Sequence, residues 1–375
     1  MKNLAVFHPS TELYGADRIL VIALKAMVNF KPIIYLPSHG PLIDLIREEL
    51  PSAEVKIIKD LPIISRGIFN PKGLVGFGRS YRVFKKLIKQ ENKVYNFQQV
   101  YVNTLACSLM LPTLSRLKVP VFTHVHEILE DPKIIAKLTA KMVFKYSHTV
   151  ISVSKAVRDN LNRLVKHQKA KSCIVHNGIP AMPGEKNKSA NEDLSFYLFG
   201  RIKPEKGQWY LLEALKQIPK AELKGVTFNF VGDVLSGRED LKSDLLSKIE
   251  AYGLKDAIVL HGFMNDIQDE MKKADICLIP SLMKDPFPTT VLEAMSAAKT
   301  VIASDTGGAK EAISHGENGF IIPANDPTVF AEVIRALINN KELIPNVGEQ
   351  AKKAFNNRFT IEHFNGRWRN AIPEC

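Results

Sequence analysis

Short apolar runs separated by helix-length amphipathic stretches recur from one end of this 375-residue chain to the other, and few architectures accommodate that rhythm. The first half reads Leu4-Ala-Val-Phe-His8, a helical stretch Ala16 to Asn29, Ile33-Ile-Tyr-Leu-Pro37, a helical stretch Leu42 to Leu50, then Val55-Lys-Ile-Ile58. After a less regular section come Val100-Tyr-Val102, Val121-Phe-Thr-His124 and Thr149-Val-Ile-Ser-Val153. The rhythm resumes from Phe196 to Leu337. Continuous apolar runs of this length, each followed by a helix, predict parallel strands covered on both faces. Between the two halves, residues 181–193 are almost without apolar side chains and read as a linker or exposed loop.

Composition is compatible with two such domains. The chain is 45% hydrophobic and 24% charged, as in ordinary globular proteins, and its length suits two or three domains. No apolar run reaches the length of a membrane span. The N-terminus enters a strand directly, without a signal-peptide pattern. Cys107, Cys173, Cys277 and Cys375 lack metal or redox spacing and read as reduced structural thiols, which predicts a cytoplasmic protein.

Chemistry concentrates in the second half. Asp285-Pro-Phe-Pro-Thr-Thr-Val-Leu-Glu293 places two carboxylates eight positions apart, one in a loop after the strand Ile276–Pro280 and one in the helix beginning near Thr290. Open α/β sheets bind ligands at such strand ends. Upstream, Leu198-Phe-Gly-Arg201-Ile-Lys-Pro-Glu-Lys206-Gly207 sets two cations on a strand-to-helix turn. A planar guanidinium and an ammonium beside a helix N-terminus suit a diphosphate. Downstream, Val301-Ile-Ala-Ser-Asp305-Thr306-Gly307-Gly308-Ala-Lys-Glu311 carries paired glycines that allow close backbone approach and an anion cradle. Gly319-Phe-Ile-Ile-Pro-Ala-Asn-Asp326-Pro327 closes the series. Each piece alone is a common turn; their order and spacing are specific.

Together these four segments resemble the retaining glycosyltransferases of family 4 (group 1), which have the GT-B fold. That resemblance implies two Rossmann-like domains with parallel sheets facing across a cleft. An N-terminal acceptor domain spans residues 1–180, a nucleotide-sugar domain spans 194–356, and the C-terminal helix 357–375 crosses back. It implies a nucleoside diphosphate sugar as co-substrate, a glycan or lipid-linked acceptor, and no cofactor. Asp285 stands where the family has Glu, one methylene shorter. By resemblance Asp285 meets the donor sugar, Glu293 holds the ribose, and Arg201 and Lys206 hold the diphosphate. Gly307, Gly308, Thr306 and Phe263 complete the donor set in that half. In the first half, Thr11-Glu-Leu-Tyr-Gly15-Ala-Asp-Arg18 resembles the family's Gly-rich loop, with Tyr14 replacing the first glycine, and Gly15 faces phosphate or acceptor. His124 and His126 share one side of a strand, and the resemblance selects His126 for the sugar. No Asp-x-Asp occurs, so fixed cations rather than a metal are expected to neutralise the leaving group. The same fold also serves sugar-nucleotide epimerases and could serve a non-catalytic nucleotide-sugar binding protein. The shortened Asp285 keeps both alternatives open.

Net charge is +12, and Arg66 to Lys93 holds eight basic residues against one acid, Glu91. Tyr81, Phe84, Leu87 and Ile88 recur there at helical spacing between Arg82, Lys85, Lys86 and Lys89. Such a helix either lies on an anionic membrane surface, peripheral to the inner face of the plasma membrane, or packs its apolar side on the domain. No nucleic-acid-binding motif accompanies the charge, so nucleic acid is not an expected partner.

Overall fold

The computed structural model describes residues 1–64, 71–166, 170–182, 193–264 and 266–372, with side chains of the helix that begins at Pro71 described from residue 76 onward. The chain divides into two compact units. Unit 1 comprises Met1–Gly178 with Ile361–Cys375, and unit 2 comprises Ile179–Thr360.

Unit 1 is built on seven parallel strands. They are β1 (Lys2–Phe7), β2 (Phe30–Leu36), β3 (Glu54–Ile57), β4 (Gln99–Asn103), β5 (Val121–Val125), β6 (Thr149–Ser152) and β7 (Lys171–Ile174). Their order is β3-β2-β1-β4-β5-β6-β7. The chain winds outward in one direction from β1 and then in the other from β4, so the β1/β4 pair is the switch point where the connecting loops diverge. Leu4 to Phe7 and Ile33 to Leu36 are fully buried, which explains their unbroken apolar runs. The helix Ile361–Ala371 joins this core: Phe364 and Trp368 are fully buried, and Trp368 meets Tyr101 edge-on with ring centroids 5.7 Å apart.

Unit 2 repeats the plan with six parallel strands. They are β8 (Leu194–Phe199), β9 (Val226–Val231), β10 (Ile258–Gly262), β11 (Ile276–Ile279), β12 (Thr300–Ser304) and β13 (Phe320–Ile322). The order β10-β9-β8-β11-β12-β13 puts its switch point between β8 and β11. The two passages into and out of unit 2 are joined: Ile179 N–H donates to Phe359 O at 3.1 Å, and Ile179 bridges Thr360. Cys173 and Cys277 lie in β7 and β11, and Cys107, Cys173 and Cys277 are free thiols. Cys375 and most of the 181–193 stretch lie outside the described residues.

The basic segment departs from one expectation. Pro71–Tyr95 is a single 25-residue helix, and its apolar side is taken up by unit 1. Phe84 and Ile88 are each 1% exposed, and Phe84 packs edge-on against Phe7. Tyr81 OH receives a hydrogen bond from Thr113 at 3.0 Å. The side that the sequence pattern offered to a bilayer therefore covers the sheet. Arg82, Lys85, Lys86 and Lys89 remain exposed. Residues 66–70 of the segment lie outside the described residues. No helix among the described residues is long and apolar enough to cross a membrane.

Candidate functional site

In unit 2 the loops leaving β8, β11 and β12 converge at the switch point. β8 ends at Phe199, and the chain turns through Gly200, whose N–H donates to Val231 O at 2.9 Å. Ile202 N–H then donates to Asp233 O at 3.0 Å, and Gln208 Nε2 donates to Arg201 O at 3.0 Å. These bonds pin the backbone on both sides of Arg201. The short turn Pro204–Lys206 ends at Gly207, which has φ +91. A Cβ there would lie 2.0 Å from Pro280 O, so only glycine lets this turn close on the end of β11. Leu282 N–H donates to Glu205 O at 3.0 Å and joins the two loops again.

That docking brings Lys206 to the acidic loop. Lys206 Nζ lies 3.4 Å from Asp285 Oδ2, with both side chains about a quarter exposed. Asp285 is held from beneath by the glycine pair. A Cβ on Gly307 would lie 1.8 Å from Asp285 O, and one on Gly308 would lie 2.1 Å from Pro286 O. Gly308 N–H donates to Asp285 O at 2.9 Å. The sequence reading offered these amides as an anion cradle. The structure engages the Gly308 N–H in a bond across to the Asp285 loop, where the two backbones touch. Thr306 Oγ1 donates to Ser281 O or Met283 O, at 3.1 and 3.0 Å, which fastens the start of the same loop. Glu293 sits in the helix Thr289–Ser296, half-buried, one turn past the loop. Phe263 is 73% exposed and follows Gly262 at the end of β10; Gly262 O accepts from Gly232 N–H at 2.8 Å, and Gly232 in turn packs against the Gly200 backbone beside Arg201. Arg201, Lys206, Asp285, Thr306, Gly307, Gly308 and Glu293 thus lie on the loops and first helical turns that follow β8, β11 and β12.

In unit 1 the corresponding loops leave β1, β4 and β5. Gly15 opens the helix Gly15–Lys25. Tyr14 caps it through a reciprocal arrangement in which Asp17 Oδ2 accepts from Tyr14 N–H at 2.8 Å. His126 lies just past β5, half-buried, and its Nε2 is 3.0 Å from Asn103 Oδ1. Burial first, and the neighbouring His8 second, push the His126 imidazole down to about 3, so it is neutral near pH 7. His124 is fully buried against Trp368 and Tyr101, and burial lowers it as well. Glu127 Oε1 and Oε2 accept from Leu105 N–H at 2.9 and 3.1 Å, and Oε2 accepts from His126 N–H at 3.0 Å. Burial raises the Glu127 carboxyl and these bonds pull it back. Thr104, directly after β4, holds φ +75, a conformation rare for a β-branched residue and typical of functional strand ends.

Sequence reasoning missed His8, Asp17, Asn103 and Glu127 as members of this group. The available signal for His8, Asn103 and Glu127 was positional: each stands at or just beyond the end of an apolar strand, where a buried strand needs no polar side chain, whereas Asp17 lies in the first turn of the helix Gly15–Lys25.

Two family models match the chain, one described as glycosyl transferases group 1 over residues 184–354 and one as glycosyltransferase family 4 over residues 34–181. An uncharacterized glycosyltransferase of Methanocaldococcus jannaschii is 28% identical over 308 residues, 78% of each chain. The lipopolysaccharide 1,2-N-acetylglucosaminetransferase of Salmonella typhimurium is 28% identical over 205 residues, 51% of this chain and 53% of that one, so the chain spans about half of that relative. Among solved structures, Anabaena HepE in complex with UDP and glucose superposes with a TM-score of 0.80 over 99% of both chains at 22% identity.

Proposed function

The chain belongs to the group 1 glycosyltransferases of the GT-B fold, and from that premise we propose that it moves a sugar from a nucleoside diphosphate sugar to a glycan or lipid-linked acceptor, with retention of anomeric configuration and without a metal ion. The observation that carries the reading is the strand-end cluster of unit 2, where Arg201 and Lys206 stand on one braced turn and Lys206 meets Asp285 at 3.4 Å.

Departure of a nucleoside diphosphate develops negative charge on its phosphates. Fixed cations aimed at that charge stabilise the transition state without reorganising. Arg201 and Lys206 supply them, and a bidentate guanidinium with a mobile ammonium fits two bridged phosphates. Asp285 serves the sugar hydroxyls and Glu293 the ribose. Gly307, Gly308 and Thr306 hold the Asp285 loop at its height. Gly15, at the first turn of its helix, presents backbone amides to phosphate or acceptor. Unit 1 also offers His126, a neutral ring, to a sugar hydroxyl. The bacterial relative that acts on lipopolysaccharide and the UDP bound to HepE support a UDP-sugar donor and an acceptor from surface glycan assembly.

Release of nucleoside diphosphate from a panel of nucleotide sugars, with and without lipid-linked acceptors, tests this reading. Acceptor-dependent release, undiminished by a chelator, with an α-linked product from an α-linked donor, is the expected result. Conversion of the donor without an acceptor would favour the epimerase, and tight binding without turnover would favour the binding protein.

A further inference from the structure

Sugar transfer by itself does not account for a string of buried polar groups beneath the β1, β4 and β5 ends of unit 1. His8 and Asn103 are fully buried, and Asp17 is 2% exposed. His8 Nε2 meets Asp17 Oδ1 at 2.7 Å, and His8 Nδ1 meets Asn103 Nδ2 at 3.0 Å. Asn103 Oδ1 in turn meets both His126 Nε2 and Tyr101 OH at 3.0 Å. Five side chains are thus connected at hydrogen-bond distance. Burying so many polar groups is tolerated only when each finds a partner of the right kind.

Two points in the string leave no choice of proton position. The Ala16 carbonyl can only accept, and it lies 3.3 Å from Asn103 Nδ2. The amide NH2 of Asn103 therefore faces Ala16 O and His8 Nδ1, and its oxygen faces His126 and Tyr101. At the other end, the Asp17 carboxylate already accepts from Tyr14 N–H, and its second oxygen accepts from His8. His8 consequently carries its proton on Nε2 and accepts at Nδ1. Asn103 Oδ1, an acceptor, then requires the proton of His126 on Nε2. One assignment satisfies every contact, and it leaves a lone pair on His126 Nδ1.

We propose that Asp17, His8 and Asn103 are positioning residues that lock His126 in the Nε2–H tautomer, so that its Nδ1 lone pair accepts a hydrogen bond from a hydroxyl of the transferred sugar. The proposal rests on the sugar-transfer reading for its ligand, but not for its tautomer. Burial keeps the ring neutral, which removes it as a proton donor and makes it a poor general base. Its task is recognition: it selects a sugar that carries a hydroxyl at the contacted carbon. Because Asp17 also caps the helix that Gly15 opens, the relay ties that first turn to the orientation of His126.

Nitrogen-15 imidazole spectra of the full chain near neutral pH test the relay, with the His126 signals assigned by their loss in His126→Gln. The wild-type protein should show His126 protonated at Nε2 and bare at Nδ1. Asn103→Ala and Asp17→Asn should shift it toward a mixture of tautomers. With a competent donor, Asn103→Ala should lower kcat about tenfold while nucleoside diphosphate affinity stays within about twofold. A wild-type His126 protonated at Nδ1 would overturn the relay, and so would a tautomer indifferent to both substitutions. The wild-type spectrum decides the proton position even if a variant fails to fold. Should the tautomer behave as expected while no nucleotide sugar is turned over, the sugar-transfer reading and the hydroxyl ligand fall while the relay stands.

Discussion

Lys206 Nζ lies 3.4 Å from Asp285 Oδ2, so the ammonium proposed for the diphosphate is paired with the carboxylate proposed for the sugar. In a chain with a Glu at the loop position, the carboxylate would reach about one C–C bond, roughly 1.5 Å, further. Here a diphosphate would compete with Asp285 for Lys206. Partly exposed pairs of this kind are worth about 0.2–1 kcal/mol. Asp285→Asn should therefore tighten nucleoside diphosphate binding by about 1.5- to fivefold while reducing turnover. Calorimetry with the product nucleotide checks this, and weaker binding in Asp285→Asn would contradict the competition.

Arg201→Ala and Lys206→Ala should each cost about ten- to a hundredfold in kcat/KM, since a charge-assisted contact contributes about 1.5–3 kcal/mol. Both residues lie on a turn braced by backbone bonds, so melting temperatures should move little. Wild-type efficiency in either variant would place the phosphate site elsewhere.

Glu293→Gln should weaken the free nucleoside diphosphate and not merely its turnover, because its proposed partner is the ribose. Comparison with the corresponding nucleotide lacking ribose hydroxyls separates the effect: the variant should lose most of the wild-type preference for the ribose form.

Gly307→Ala should both destabilise the protein and impair activity. Its φ is +67, and the added Cβ would meet Asp285 O at 1.8 Å, so the Asp285 loop must shift. Strain of this kind costs about 1–3 kcal/mol. A thermal melt alongside turnover tests it, and an unchanged melt with unchanged kcat would show that the loop height does not matter.

Acid should destabilise the protein through His126. An unfolded His titrates at about 6.5, whereas burial holds His126 down to about 3 in the fold. The unfolded chain thus binds the extra proton first, and stability present above about pH 6.5 is lost as pH falls toward 3. His124 and Glu127 face the same ring or its backbone, are themselves shifted by burial, and contribute to the profile. Melting temperatures measured from pH 7.5 down to 5 should fall less steeply in His126→Gln than in wild type.

Much of the architecture was legible in the sequence, because the signals for it are local. A strand buried on both faces has to be apolar along its whole length, as Leu4–Phe7 and Ile276–Ile279 are, and that alone predicted two parallel sheets. The spacing of Asp285 and Glu293, and of Arg201 and Lys206, is likewise a property of consecutive residues leaving a strand end. Tertiary structure decided what those residues touch. His8 and Asn103 are 95 positions apart and meet only because β4 pairs beside β1. Gly307 and Gly308 read as glycines that permit close backbone approach, and only the fold shows that the approaching backbone is that of Asp285 and Pro286. Phe84 and Ile88 have the periodicity of a membrane-facing helix and of a core-facing one alike, because a 3.6-residue repeat records that one side avoids water and not what covers it.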